Sequence, residues 1–119
     1  MQERRRAPRL AERVSLNITE GDPPVQAETK NLSATGAYCL VDRFVPPMTK
    51  LDLRFELPQP SGHARVHCQG VVVRMEPVIA SPEQGRYHMA IYFTTLSTRD
   101  RQAITRYVQQ RLSSAPPTS

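Results

Sequence analysis

From Arg13 onward the chain alternates apolar and polar residues with a period of two. Val14, Leu16 and Ile18 interleave with Ser15, Asn17 and Thr19, the signature of a strand with one buried face. Glu20-Gly21-Asp22-Pro23-Pro24 carries turn chemistry and ends it. Val25 to Lys30 repeats the alternation more weakly, with Val25 and Ala27 on one face. Asn31-Leu32-Ser33-Ala34-Thr35-Gly36 then breaks the extended pattern. Asn and Ser bond readily to nearby backbone and Gly tolerates positive φ, so a tight loop is expected there. Ala37 to Val41 reads as a short strand, and Arg43 to Thr49, with Pro46-Pro47, as a loop. Leu51, Leu53, Phe55 and Leu57 against Asp52, Arg54 and Glu56 give the clearest strand of the chain. Pro58 to Gly62 is a turn, and His63 to Met75 a longer strand in which Gly70 marks a bulge or a close backbone approach. A proline-rich loop, Glu76 to Gly85, precedes the last strand, Arg86 to Thr94, with Met89, Ile91 and Phe93 facing one way.

The period then changes. Ser97 is a good N-cap, Asp100 stands three residues on, and Ile104, Tyr107, Val108 and Leu112 share one helical face. Arg106 and Arg111 lie toward the end of that helix, where its dipole favours cations. Six strands with short turns and one closing helix predict an all-β fold. The expected form is a six-stranded antiparallel β-barrel with one C-terminal α-helix, closed so that no strand edge is left unpaired. The expected organisation is a flexible basic arm at 1–12, the barrel at 13–96, the helix at 97–113 and a disordered tail at 114–119.

Composition narrows the class. The chain has 119 residues, enough for one core, and its eleven prolines argue against a helical bundle. The formal net charge is +5, and five of the fourteen arginines fall in the first thirteen residues, so an anionic partner is favoured and the arm is where it would meet the chain. Two cysteines without CxxC spacing do not make a disulfide scaffold. No apolar leader follows Met1 and no run approaches a membrane span, so a soluble cytoplasmic chain with two reduced cysteines is expected, with no membrane insertion.

The arm holds Arg4, Arg5, Arg6 and Arg9 within six residues, stiffened by Pro8. Guanidinium is permanently charged and planar; it pairs bidentately with phosphate or with the O6/N7 edge of guanine, and stacks on flat rings. By itself such a run is a solvated tail. One hairpin later, however, comes Asn31-x-Ser33-x-x-Gly36. An Arg-x-x-x-Arg motif (Arg5 to Arg9) followed by Asn-x-Ser-x-x-Gly at a strand end resembles the PilZ domain family. Gly70-Val71-Val72-Val73-Arg74, the strand Tyr87 to Phe93, and Asp100-Arg101 with Ile104 and Tyr107 extend the likeness along nearly the whole chain.

The resemblance implies a six-stranded barrel with a C-terminal helix that binds the bacterial second messenger cyclic di-GMP. It also implies a ligand site of Arg5, Arg9, Asn31, Ser33 and Gly36. The chemistry suits that ligand, which offers two phosphates and two guanines. Arginines can pair with both, the Asn31 amide can meet a guanine edge, the Ser33 hydroxyl can hold the ligand or brace the loop, and Gly36 keeps a Cβ out of the way. Arg4 stands where family members that bind a stacked pair of ligands often carry arginine, so an intercalated dimer of cyclic di-GMP is expected and Arg4 joins the site. The arm is expected to wrap onto the barrel when ligand bridges it to the loop, and an unidentified effector protein acting in trans is expected to read that change. The alternative is a PilZ-like adaptor that binds proteins and no nucleotide.

Other chemistries are weaker. His63 and His67 share a strand face but stand about 13 Å apart at roughly 3.3 Å per residue, and Cys68 points the other way, so no metal site is expected. Ser33 has no evident base and Gly-x-Ser-x-Gly is absent, so an enzyme is not expected and no cofactor is implied. A barrel for single-stranded nucleic acid would expose aromatic platforms, but the chain has no Trp, and Phe55 and Phe93 fall at core positions, so no polynucleotide partner is expected.

Overall fold

The computed structural model describes residues 14–19, 25–59, 62–79 and 85–114. The arginine arm, with Arg4, Arg5 and Arg9, lies outside the described residues, as do the stretches 20–24, 60–61 and 80–84, where turns and a loop are expected, and the last five residues. Six strands are present: β1 (Ser15–Thr19), β2 (Val25–Leu32), β3 (Gly36–Val41), β4 (Lys50–Gln59), β5 (Gly62–Pro77) and β6 (Tyr87–Thr95). One helix, α1 (Thr98–Ser114), follows. Every strand pairing is antiparallel, and the order β1-β2-β3-β6-β5-β4 closes on itself through β4 and β1.

The period-two residues turn inward as their alternation requires. Leu16, Ile18, Leu51, Leu53, Leu57, Val66, Val72 and Met89 fill the barrel, and Phe55 stacks on Phe93 with ring centroids 6.4 Å apart. Cys39 and Cys68 are free, buried thiols. Burial pushes Cys39 up to about 12, and burial with the charges of Asp100 and Asp52 pushes Cys68 up to about 11, so both stay protonated and unreactive near neutrality.

Helix α1 begins as its cap residues dictate. Ser97 Oγ accepts the Asp100 N–H at 3.0 Å, and the Ser97 carbonyl accepts the Arg101 N–H at 2.8 Å. Ile104, Tyr107 and Val108 are buried against the barrel, whereas Leu112 is 45% exposed. The apolar face expected to run through Leu112 therefore stops one turn earlier.

Three strand ends depart from the alternation. Strand β4 runs through Pro58, where a turn was expected, and β5 runs on to Pro77. Strand β2 continues through Asn31 and Leu32, which places Asn31 within a paired strand. Among the described residues no helix is long and apolar enough to cross a membrane.

Candidate ligand site

Asn31 owes its position to one inserted residue. Val25, Ala27 and Thr29 point inward, so an unbroken period of two would bury Asn31. Thr29 pairs with Cys39 but Asn31 pairs with Tyr38, leaving Lys30 as the extra residue of a β-bulge. The bulge resets the phase: Lys30 and Asn31 both become half-exposed, and Leu32 returns to the core with no exposure. The sequence signal for this is the pair of polar residues Lys30-Asn31 before Leu32, a slip of phase within an otherwise regular strand.

The loop that follows is braced on three sides. Ser33 is fully buried, and its Oγ lies 2.9 Å from Thr35 Oγ1 and accepts the Thr35 N–H at 3.2 Å. The Ser33 N–H reaches the Gly36 carbonyl at 3.0 Å, and the Phe93 N–H of β6 donates to the Thr35 carbonyl at 3.0 Å. From α1, Arg101 Nη1 donates to the Ala34 carbonyl at 3.4 Å. Of the two roles open to Ser33, bracing is the one this geometry displays. Of the two properties of glycine expected to matter at position 36, positive φ and the missing Cβ, the structure uses the second. Among the described residues the glycines with positive φ are Gly62 and Gly85, and Gly36 is needed for space, because a Cβ there would run into the Ile91 carbonyl oxygen. Gly70 meets the same limit, with a Cβ falling 2.8 Å from Ile91 Cγ2 and 2.9 Å from the Tyr92 carbonyl oxygen.

Cross-strand register extends the site over the outer barrel face. Asn31, Tyr38, Ala90 and Arg74 follow one another across β2, β3, β6 and β5, a row of about 14 Å at the usual strand spacing. A second row, Gly36, Tyr92 and Val71, lies beside it. Tyr38 Oη donates to Glu76 Oε1 at 3.3 Å and its ring tilts against His88, 5.2 Å between centroids. Burial and the Glu76 carboxylate push the Tyr38 phenol up, which keeps it a proton donor. Arg74 Nε lies 3.5 Å from Glu76 Oε2.

Val14, the residue before β1, is held next to this loop. The Val14 N–H donates to Thr29 Oγ1 at 2.8 Å and the Thr29 N–H returns to the Val14 carbonyl at 2.9 Å. Thr29 stands two residues before Asn31. Val14 also borders a groove of about 900 Å³, lined further by residues of β1, β4, β5 and α1, including Arg54, Arg65, His67 and Arg111, but by none of Asn31, Ser33 and Gly36. Its arginines meet acids nearby, Arg54 reaching Asp52 at 3.5 Å and Arg65 reaching Glu56 at 3.3 Å, and His67 Nε2 lies 2.8 Å from Asp52 Oδ1. No cluster of three or more His, Cys, Asp or Glu able to hold a metal occurs among the described residues.

A closed six-stranded barrel with a C-terminal helix, and a rigid Asn-x-Ser-x-x-Gly turn joining two of its strands, define a small β-barrel domain of the PilZ type. The PilZ domain model matches residues 3–110, and the chain belongs to that family. The match includes the arginine arm.

Solved structures agree in fold. The Bacillus subtilis inhibitor of motility MotI/DgrA superposes with a TM-score of 0.83 at 19% identity, covering 97% of this chain and 55% of that one. The PilZ domain of Escherichia coli YcgR, solved with c-di-GMP, gives 0.68 at 14% identity, covering 93% and 95%. MrkH, described as a c-di-GMP-dependent transcription regulatory factor, gives 0.69 at 15% identity, covering 94% and 52%. The chain thus spans about half the length of MotI/DgrA and MrkH. No curated protein matched the sequence.

Proposed function

We propose that this chain is a receptor for cyclic di-GMP, not an enzyme, and that it relays ligand occupancy to a partner protein. The observation that carries the reading is the anchoring of Val14 beside Thr29. Val14 is five residue steps from Arg9, a reach of up to about 18 Å, whereas Thr29 and Asn31 are only about 7 Å apart along the strand. Arg5 and Arg9 can therefore close over a ligand seated at Asn31 without any change in the barrel. In this arrangement the guanidinium groups meet phosphates and guanine O6/N7, and the Asn31 amide meets a guanine edge. Ser33 and Gly36 hold the loop that presents Asn31. Arg4 adds a further cation beside Arg5, which supports a stacked pair of ligands on one chain.

Calorimetric titration with cyclic di-GMP tests this. Wild type is expected to bind with two ligands per chain, and Arg5→Ala and Arg9→Ala each to lose at least tenfold in affinity while keeping the thermal midpoint, because each removes a charge-assisted contact of about 1.5–3 kcal/mol. A ratio of one ligand per chain would remove Arg4 from the site. A folded wild type that binds no cyclic di-GMP would move the assignment to a protein-interaction module.

A further inference from the structure

The motifs account for Asn31 and the arm but not for the barrel face beside them. On that face the pairing of β3 with β6 sets two small residues against two tyrosines. Gly36 lies opposite Tyr92, and Tyr38 lies opposite Ala90. The two small residues are diagonal to one another, and neither raises more than a methyl group above the sheet. Gly36 cannot be otherwise, since the Ile91 carbonyl occupies the place of its Cβ. Tyr38 leans away from this ground: its hydroxyl bonds Glu76 and its ring rests on His88, and these two residues pair with each other further along the strands. Tyr92 is left standing at the edge of a flat floor, 55% exposed, two strands and one row from Asn31 and so about 12 Å from it.

An exposed aromatic over a floor of glycine and alanine, continuous with a turn that presents an amide, is a platform for a planar ring. We infer that Tyr92 stacks on a guanine base of the ligand, with Gly36 and Ala90 as the surface on which the base lies. The inference rests on the cyclic di-GMP reading and deepens it, because it places a base on the β3–β6 face, outside the residues that the two motifs mark. Stacking uses the π-face and not the hydroxyl, so ring and hydroxyl can be separated by substitution.

The test is the affinity of the full chain for cyclic di-GMP in four variants, each checked for an unchanged thermal midpoint. Tyr92→Phe is expected to bind as wild type does. Tyr92→Leu, which keeps bulk but loses the ring, is expected to lose roughly five- to hundredfold, the range of one base–aromatic stack. Ala90→Leu, which fills the floor and leaves Tyr92 in place, is expected to lose a similar factor, and Ala90→Ser to lose little. Wild-type affinity in Tyr92→Leu and Ala90→Leu would overturn the inference while leaving the receptor reading intact. Absence of binding in the wild type itself would instead overturn the receptor reading on which it rests.

Discussion

At the scale of single residues, the turn that presents Asn31 depends on buried positions, Ser33 and Gly36. Gly36 is the sharpest case, because the atom its Cβ would strike belongs to the backbone of β6 and has no rotamer by which to yield. Gly36→Ala should cost about 1–3 kcal/mol, the usual range for forcing an extra methyl into filled space. A lowered urea midpoint with an unchanged slope would show it; an unchanged midpoint would mean that β3 and β6 lie further apart than described. A tight turn from Ser33 to Gly36 was legible in the sequence, whereas Asn31, expected in the same loop, lies in β2. The reason for Gly36 was not legible, since positive φ and close approach both select glycine and only the neighbouring strand distinguishes them. Tyr92 was not legible either. In an alternating strand it reads as one more outward residue, and its setting depends on Gly36, which is 56 positions away in sequence and paired with it in the barrel.

At the scale of elements, bulges decide where the chemistry points. The extra residue Lys30 turns Asn31 outward, and a second irregularity between Val72 and Arg74 sets Arg74 on the same outer row. Alternation predicted all six strands because one side of each must be buried. It could not place these slips, since a one-residue insertion leaves no mark beyond two adjacent polar side chains. The closing helix shows a similar limit. Helical spacing groups Leu112 with Ile104, but the barrel beneath ends before Leu112 is reached, and the residue is exposed. Ile104→Ala should therefore destabilise by about 2–5 kcal/mol. Leu112→Gln should stay within about 0.5 kcal/mol of wild type. Paired denaturation curves check both, and equal losses would mean that Leu112 packs against something in solution.

At the scale of the whole molecule, barrel closure joins sequence-distant parts around one site. Strand β1 begins beside Thr29, β2 ends at the Asn31 turn, β6 holds that turn through Phe93, and α1 reaches it through Arg101. In the proposed receptor, ligand is held from two sides, by the arm on one and by the turn and the β3–β6 face on the other. Hydrogen–deuterium exchange of the full chain, with and without saturating cyclic di-GMP, tests that claim most directly. Slowed exchange on binding in both residues 4–9 and the stretch 31–36 is the predicted result. Slowing in only one of the two, or in neither while ligand is bound, would contradict it.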